Sequence, residues 1–583
     1  MPRGFESIPN SRKTVLLTVF IGIYCILFFQ YFNLQILNYE KYKRQSEDNS
    51  IRKLSIPAPR GIIYDRNGVP LVDNMPIYEV KVRPIDVTEE FDYEILSSEL
   101  NLDVSDIQSN ILHFKKTGGR FHPQLLKRHI DFEVISRLSE YKLNLPGLLF
   151  MELPARVYPS DVRLTHVLGY LRTVSEKFLT DIPSDLNYDR DDVHGAAGIE
   201  LNYESILRGN NGFEYHLVDN RGIDQGVLLD EVRISPEKGK SLFLNIDHDL
   251  QLVVEELLDK HIGAIVCSNP NNGEIYAMAS SPDYDLGSFV GPIPITLWKN
   301  WNTDHKRPLF NRALNGLYPP GSTLKLAAAA MLLETRKVTP SWMVDCRGIY
   351  SFGNRKYHCW KEDGHGQVNL KDAIKYSCNI YFYQLIQYYK VDEWAQYMTD
   401  FGFGEKTNID LIHEKKGIIP NRDYLNKKYT SRGWAEGNLL SFVLGQGDVL
   451  TTPLQVLHMI NLIATDGLAG KLNLANKNIV SLDTLAYSKR TWSFINNSMW
   501  HVVNGDKGTG ENARSEFGIV RGKTGTAENP HGEPHSWFAG YITLPNEEKL
   551  SLAIIVENGG KGSQVAAPMA KIIFDNYGEK FHD

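Results

Sequence analysis

From Thr14 to Tyr39 the chain carries no charged side chain, and VLLTVFIGIYCILFFQYF (15–32) is apolar almost throughout. A run of that length spans a bilayer as a helix. Residues 15–37 are therefore expected to form a transmembrane anchor behind a short tail, residues 1–14. No small-x-small cleavage site precedes Gln35, which speaks for a retained anchor and against a removed signal peptide. Basic residues flank the run on both sides (Arg3, Arg12, Lys13; Lys41, Lys43, Arg44), so the charges do not set its orientation.

Beyond the anchor the period shortens. Residues 51–85 alternate in short runs broken by prolines and by Asn67-Gly68, which predicts strands and a hairpin. Residues 86–150 are mixed and charged, with helical patterns such as DYEILSSEL, and read as an inserted head. ELPARVYP, HVLGYLRTV, GFEYHLVDNRG and KSLFLNID then predict strands around a helix, GIELNYESIL. Together 38–245 form a mixed α/β pedestal domain. From 246 to 583 one larger domain is predicted: an amphipathic helix (247–262), two strands joined across Asn272-Gly273 (263–280), a helical middle (320–510), three strands (IVRGKTGTA, HSWFAGYITL, KLSLAIIVENG) and a closing helix, AAPMAKIIFDNYG. An antiparallel sheet built from both ends of a segment with helices between them is an α+β domain.

Composition narrows the chemistry. The chain has 583 residues, 42% hydrophobic and 23% charged, with a formal net charge of −7 and no long basic run. That argues against nucleic acid as a partner. GKTGT (522–526) invites comparison with a phosphate loop, but that loop needs a glycine five positions before Gly522, where Phe517 stands. The stretch reads as a strand.

In YPPGSTLKLAAAAMLLETRK (318–337), Pro319, Pro320 and Gly321 precede a strong helix-forming run, so Ser322 is expected to open a helix with Lys325 on the same face. A serine hydroxyl needs a base to become a nucleophile, and lysine can serve if apolar neighbours keep it neutral. Alone, S-x-x-K reads as a helix cap and a solvated lysine. KYSCNIYFYQ (375–384) adds Ser377 and Asn379 as S-x-N, and Lys523-Thr524-Gly525 adds K-T-G on a strand. Three such elements in this order are the signature of serine β-lactamases and penicillin-binding proteins.

RGIIYDRNG (60–68), HVLGY (166–170), GAAGIELNYESILRG (195–209), VDNRG (218–222), YPPGSTLK and GQGDVLTTPLQ (445–455) extend the match, and the chain resembles a class B penicillin-binding protein from its anchor to its C-terminus. YPPGST and the unextended C-terminus are most similar to the elongation-specific penicillin-binding protein 2 group. The resemblance implies an inner-membrane, single-pass protein with a periplasmic pedestal and a β-lactamase-like D,D-transpeptidase domain, acting in cell-wall elongation and rod-shape maintenance and acylated by β-lactams. It implies Ser322 as nucleophile toward peptidoglycan stem peptides and Lys325 as proton acceptor. Ser377 and Lys523 would relay the proton, and Asn379 would bind the stem amide. Thr524, Gly525 and Thr526 would hold the substrate's carboxylate end, with the Ser322 and Thr526 amides forming the oxyanion hole. It also implies a glycosyltransferase partner of the shape, elongation, division and sporulation (SEDS) family and other elongation-complex proteins. Competing readings are a D,D-carboxypeptidase, a β-lactam hydrolase or sensor, and a scaffold that mainly activates the polymerase.

No cofactor is expected for catalysis. Yet Cys346, Cys359 and Cys378 crowd into 33 residues with Asp345, His358, Asp363 and His365, a donor density that suits zinc. By resemblance the ligand set would be Asp345, Cys359, His365 and Cys378. A Cys346–Cys359 disulfide and merely buried thiols are the other readings.

Overall fold

In the computed structural model, which describes residues 10–39, 51–116, 123–181, 188, 192–218, 224–228, 233–291, 293–430, 433–475 and 481–581, the N-terminal apolar run is a continuous helix, α1 (Asn10–Phe32). With the turns that extend it, Ser11–Leu37 has a mean hydropathy of 2.2 over its most apolar window and no buried residue in that window. It is the one helix among the described residues long and apolar enough to cross a membrane. Most of the expected tail, residues 1–9, lies outside the described residues, as do residues 219–222 of the VDNRG segment.

The rest of the chain divides into two units, and chain order does not separate them. The first comprises Met1–Pro59, Pro76–Pro154 and Asn210–Lys238. In it Ile51–Ile56 pairs antiparallel with Gly212–Val218, while the inserted segment and the strand before it share a small core of Val80, Val82, Leu96, Leu100, Ile107, Ile111 and Leu138.

The second unit comprises Arg60–Met75, Ala155–Gly209 and Gly239–Asp583. Its pedestal pieces are joined by buried charge. Arg60 donates to Glu200 and Glu204 at 2.7 Å each, and Arg156 Nε donates to Glu200 at 2.8 Å. Pairing of this kind is what lets arginine and glutamate leave water, and it accounts for the RGII and GIELNYE segments. Tyr203 of the latter donates to the buried Asp410 carboxylate at 2.5 Å. Two expectations change here. HVLGY is a helical turn, Thr165–Leu168, and not a strand, because Gly169 at φ +75° ends the turn before Leu171–Thr173 extends. The helix expected over GIELNYESIL breaks at Tyr203 into Gly198–Asn202 and Glu204–Leu207.

The larger part of this unit is an antiparallel sheet with helices on both faces. Helix α2 (His248–Leu258) precedes strands β1 (Gly263–Ser268) and β2 (Ile275–Ser281). Helices α3 (Lys325–Thr335), α4 (Asn379–Tyr383) and α5 (Pro453–Ala464) belong to the middle. Strands β3 (Ile519–Ala527), β4 (His535–Thr543) and β5 (Lys549–Val556) return to the sheet, and α6 (Ala566–Glu579) closes the chain. The sheet order is β2-β1-β5-β4-β3, antiparallel at every pairing. All twelve residues of α5 are buried, the polar Gln455, His458 and Asn461 among them. Asn461 within it donates to Ser268 Oγ of β1 at 3.0 Å. Strand β3 is an edge of the sheet, and the catalytic motifs gather beside it.

Candidate active site

The segment carrying Ser322, the expected nucleophile, is shaped by glycine. Gly321 sits at φ +55°, a region costly for other residues, and its amide donates to Gly445 O at 3.0 Å. The chain then makes one tight turn, Gly321–Thr323, and α3 begins only at Lys325. Ser322 thus stands one turn before the helix instead of opening it, half-buried, with Lys325 three residues on.

Lys325 is wholly buried among Leu324, Leu326 and Ala327–Ala330, which are buried too. Its amine donates to Asn379 Oδ1 at 2.7 Å, Ser377 O at 3.0 Å and Ser377 Oγ at 3.3 Å. Burial pushes it down to about 8, against a smaller upward pull from the Cys378 and Cys359 thiols. A lysine so held loses its proton within reach of physiological pH, as a base must.

Ser377 is held at φ +56°. Such strain in a serine persists only where the surroundings impose it, and here it turns both the carbonyl and the hydroxyl of Ser377 to Lys325. Asn379 opens α4. Its amide nitrogen donates to His358 O at 3.3 Å, leaving its oxygen for Lys325.

From the other side comes β3. Lys523 is fully buried, its amine on Thr524 O at 2.8 Å. Burial, and then the charge of Lys325, hold its pKa well below the usual lysine range. Gly525 lies opposite Trp537 in register. A Cβ there would stand 2.9 Å from Trp537 Cβ, 3.2 Å from Thr323 Cγ2 and 3.3 Å from Pro320 O, so only glycine lets the strand lie against the nucleophile turn. Thr524 Oγ1 donates to Thr509 Oγ1 at 3.0 Å, and Thr509 donates to Lys375 O at 3.3 Å. Thr526 is exposed at the strand edge, its hydroxyl oxygen accepting from Gly562 N at 3.4 Å. The backbone of GKTGT is paired with β4 and cradles no phosphate. Thr509 was not singled out from sequence; it lies between two glycines, Gly508 and Gly510, which signal only a turn.

Beside S-x-N, the ligand atoms of Cys346, Cys359, His365 and Cys378 all lie within 4.8 Å of one another. His365 Nδ1 is 3.5 Å from both Cys346 Sγ and Cys359 Sγ. The Cys378 hydrogen bond, helped by His365 and opposed by burial, draws the Cys359 thiol well below its ordinary value. Cys346 therefore stands where Asp345 was expected. Along Val344–Cys346 burial alternates, so Cys346 faces inward while Asp345 faces out and pairs with Arg347 at 2.6 Å. All five cysteines are free, so Cys346 and Cys359 form no disulfide. Trp360 Nε1, next to Cys359, donates to Tyr376 O, next to Ser377. The cluster and the catalytic segment are thus one connected structure.

A serine on a tight turn, a buried lysine that shares its amine with a serine and an asparagine, and a glycine-bearing edge strand define a serine acyltransferase of the penicillin-recognising kind. Residues 263–575 match the penicillin binding protein transpeptidase domain, and residues 55–244 the penicillin-binding protein dimerisation domain. The chain belongs to the penicillin-binding proteins, within the penicillin-binding protein 2 group. It is 33% identical to the peptidoglycan D,D-transpeptidase MrdA of Haemophilus influenzae, covering 97% of this chain and 91% of that protein. Among solved structures it is similar to penicillin-binding protein 2 of Helicobacter pylori in complex with MreC (TM-score 0.80, 28% identity, 90% of this chain and 99% of that one). It is also similar to Pseudomonas aeruginosa penicillin-binding protein 2 in complex with WCK 5153 (TM-score 0.69, 29% identity, 90% and 96%).

Proposed function

We propose that this protein is the peptidoglycan D,D-transpeptidase of cell elongation, working through an acyl-enzyme on Ser322. The observation that carries this reading is the convergence of the buried Lys325 amine with Ser377 and Asn379, with β3 at the edge of the sheet. A stem peptide adds to that edge as a further strand, with its terminal carboxylate at Thr524 and Thr526 and its amide at Asn379. Ser322 Oγ attacks the carbonyl of the penultimate D-alanine while Lys325 takes the hydroxyl proton. The oxyanion is received by the Ser322 and Thr526 amides, a kind of donor worth about 3 kcal/mol of barrier each. As the C–N bond breaks, the proton passes to the leaving D-alanine through Ser377 and Lys523, whose amine burial and Lys325 push toward its neutral form. An amine of a neighbouring stem then attacks the ester, and Lys325 takes the amine's proton and hands it to Ser322 Oγ as the ester C–O bond breaks and the cross-linking amide forms. Incubating the full chain with uncross-linked pentapeptide-bearing glycan and separating the digested products tests this: cross-linked dimers with equimolar D-alanine are expected, and D-alanine without dimers would contradict it.

In this reading residues 15–37 anchor the protein in the inner membrane, 38–245 form the pedestal, and the large C-terminal part is periplasmic. The Helicobacter pylori relative was solved with MreC, and a further similar structure is described as a peptidoglycan synthase complex. Elongation-complex proteins and a SEDS glycosyltransferase are the partners this supports.

The cysteine cluster fits structural zinc. Zinc–sulfur and zinc–nitrogen bonds of about 2.3 and 2.0 Å at a tetrahedral angle put nitrogen and sulfur about 3.5 Å apart, as His365 Nδ1 and two sulfurs are. Cys346, Cys359, His365 and Cys378 would hold the ion, which would brace the segment carrying Ser377 and Asn379 and take no part in acyl transfer. Protein purified without chelators is expected to carry about one zinc per chain, lost in Cys346→Ser and retained in Asp345→Ala. Chelation should lower the melting temperature by about 5 °C or more. Elemental analysis and thermal denaturation check both points.

A further inference from the structure

The nucleophile turn is braced by a network that no catalytic motif contains. Tyr318, four residues before Ser322, exchanges both backbone hydrogen bonds with Thr451 at 2.8 and 2.9 Å. Its hydroxyl donates to Glu557 Oε1 at 2.6 Å, and the same oxygen accepts from Arg312 Nε at 2.8 Å. Arg312 is almost fully buried, and its remaining donors go to Arg307 O at 3.3 Å and Lys306 O at 2.7 Å. Glu557 is itself fixed to the sheet. It directly follows β5, and its amide donates to Ile262 O at 2.7 Å, one residue before β1. The Tyr318 ring meets the Trp537 ring edge to face at 6.2 Å, and Trp537 Nε1 donates to Pro319 O at 3.0 Å. Trp537 is the β4 residue paired with Gly525.

One carboxylate oxygen therefore joins the end of the sheet to the residues on both sides of the gap where an oxyanion would sit: the turn carrying the Ser322 amide, and the strand carrying the Thr526 amide. A buried arginine makes that oxygen a strong, fixed acceptor. We propose that Glu557 is a positioning residue for acyl transfer, holding Tyr318, and through Pro319 and Trp537 setting the spacing of the Ser322 and Thr526 amides. Glu557 touches neither substrate nor reacting atoms. This inference rests on the Ser322 acyl-enzyme reading.

Tyr318→Phe removes only the hydroxyl and leaves the Arg312–Glu557 pair intact; Glu557→Gln removes the charge. The full chain in detergent, with each variant and the double variant, is followed against a fluorescent penicillin. The time courses separate the dissociation constant from the acylation rate constant, and melting temperatures are measured alongside. Misplacing an oxyanion donor acts on the chemical step, so each single variant is expected to lose roughly ten- to hundredfold in acylation rate constant with the dissociation constant little changed. The double variant should fall no further than the worse single one, because the two groups act as a unit. Tyr318→Phe melting like wild type while losing rate separates positioning from loss of fold. Wild-type acylation by Tyr318→Phe, or losses that multiply in the double variant, would overturn the inference and leave the nucleophile assignment standing. Failure of the wild type itself to be acylated would overturn both.

Discussion

Replacing Ser322 by alanine is expected to abolish acyl transfer, with a loss of roughly 10⁴- to 10⁶-fold in cross-linking rate. Half-buried on a turn that Gly321 and Gly445 shape, Ser322 keeps its backbone position when its hydroxyl is removed. The variant should fold, keep its melting temperature and still bind donor peptide non-covalently. The oxyanion donors are backbone amides and survive the substitution, but without a nucleophile no ester forms. Cross-linked product and D-alanine should both vanish, which separates this variant from one that merely misfolds. Product analysis with thermal denaturation as a control checks it. Cross-linking retained at more than a few per cent would place the nucleophile elsewhere.

Lys325 has the second largest expected effect, and its signature is a pH profile. In the proposed mechanism Lys325 accepts the Ser322 proton only when neutral. With its value pushed down to about 8, about a tenth of the amine is neutral one unit below that pH and about nine tenths one unit above. Acylation by penicillin should therefore rise with pH and level off above about 8. Lys325→Arg keeps the charge but cannot give up its proton. It should lose roughly 10²- to 10⁴-fold together with the inflection. Lys325→Ala removes three hydrogen bonds from Ser377 and Asn379 as well, so it should fall at least as far and melt lower. Rates against pH for the wild type and the arginine variant decide the matter; an unchanged inflection in Lys325→Arg would assign the titration to another group.

What was legible in the sequence had short range. S-x-x-K and S-x-N each place their groups within one helical turn, and K-T-G lies along one strand, so spacing alone carried the chemistry. That the structure brings Lys325, Ser377 and Asn379 within hydrogen-bond distance across more than fifty residues follows from the order of the motifs only by resemblance. Errors came where one residue decides direction. Ser322 was expected to open a helix, but Gly321 at positive φ delays the helix to Lys325. Asp345 entered the ligand set by resemblance, yet strand alternation turns its neighbour Cys346 inward. HVLGY looked extended because its apolar residues continue into LRTV, and Gly169 made it a helical turn. Long-range partners left no trace: Thr509 is fifteen residues from Thr524, and Glu557 is 239 from Tyr318. Carboxylate, phenol and guanidinium carry no local period that would announce their meeting.

The most direct test of the account is intact mass spectrometry of the full chain over hours with penicillin, followed by digestion to locate the modified peptide. One adduct per chain is expected, persisting through the time course and mapping to Ser322 in the peptide that begins near YPPGS. An adduct on another residue, one that disappears within seconds, or none at all would contradict a Ser322 acyl-enzyme built for transfer to an amine.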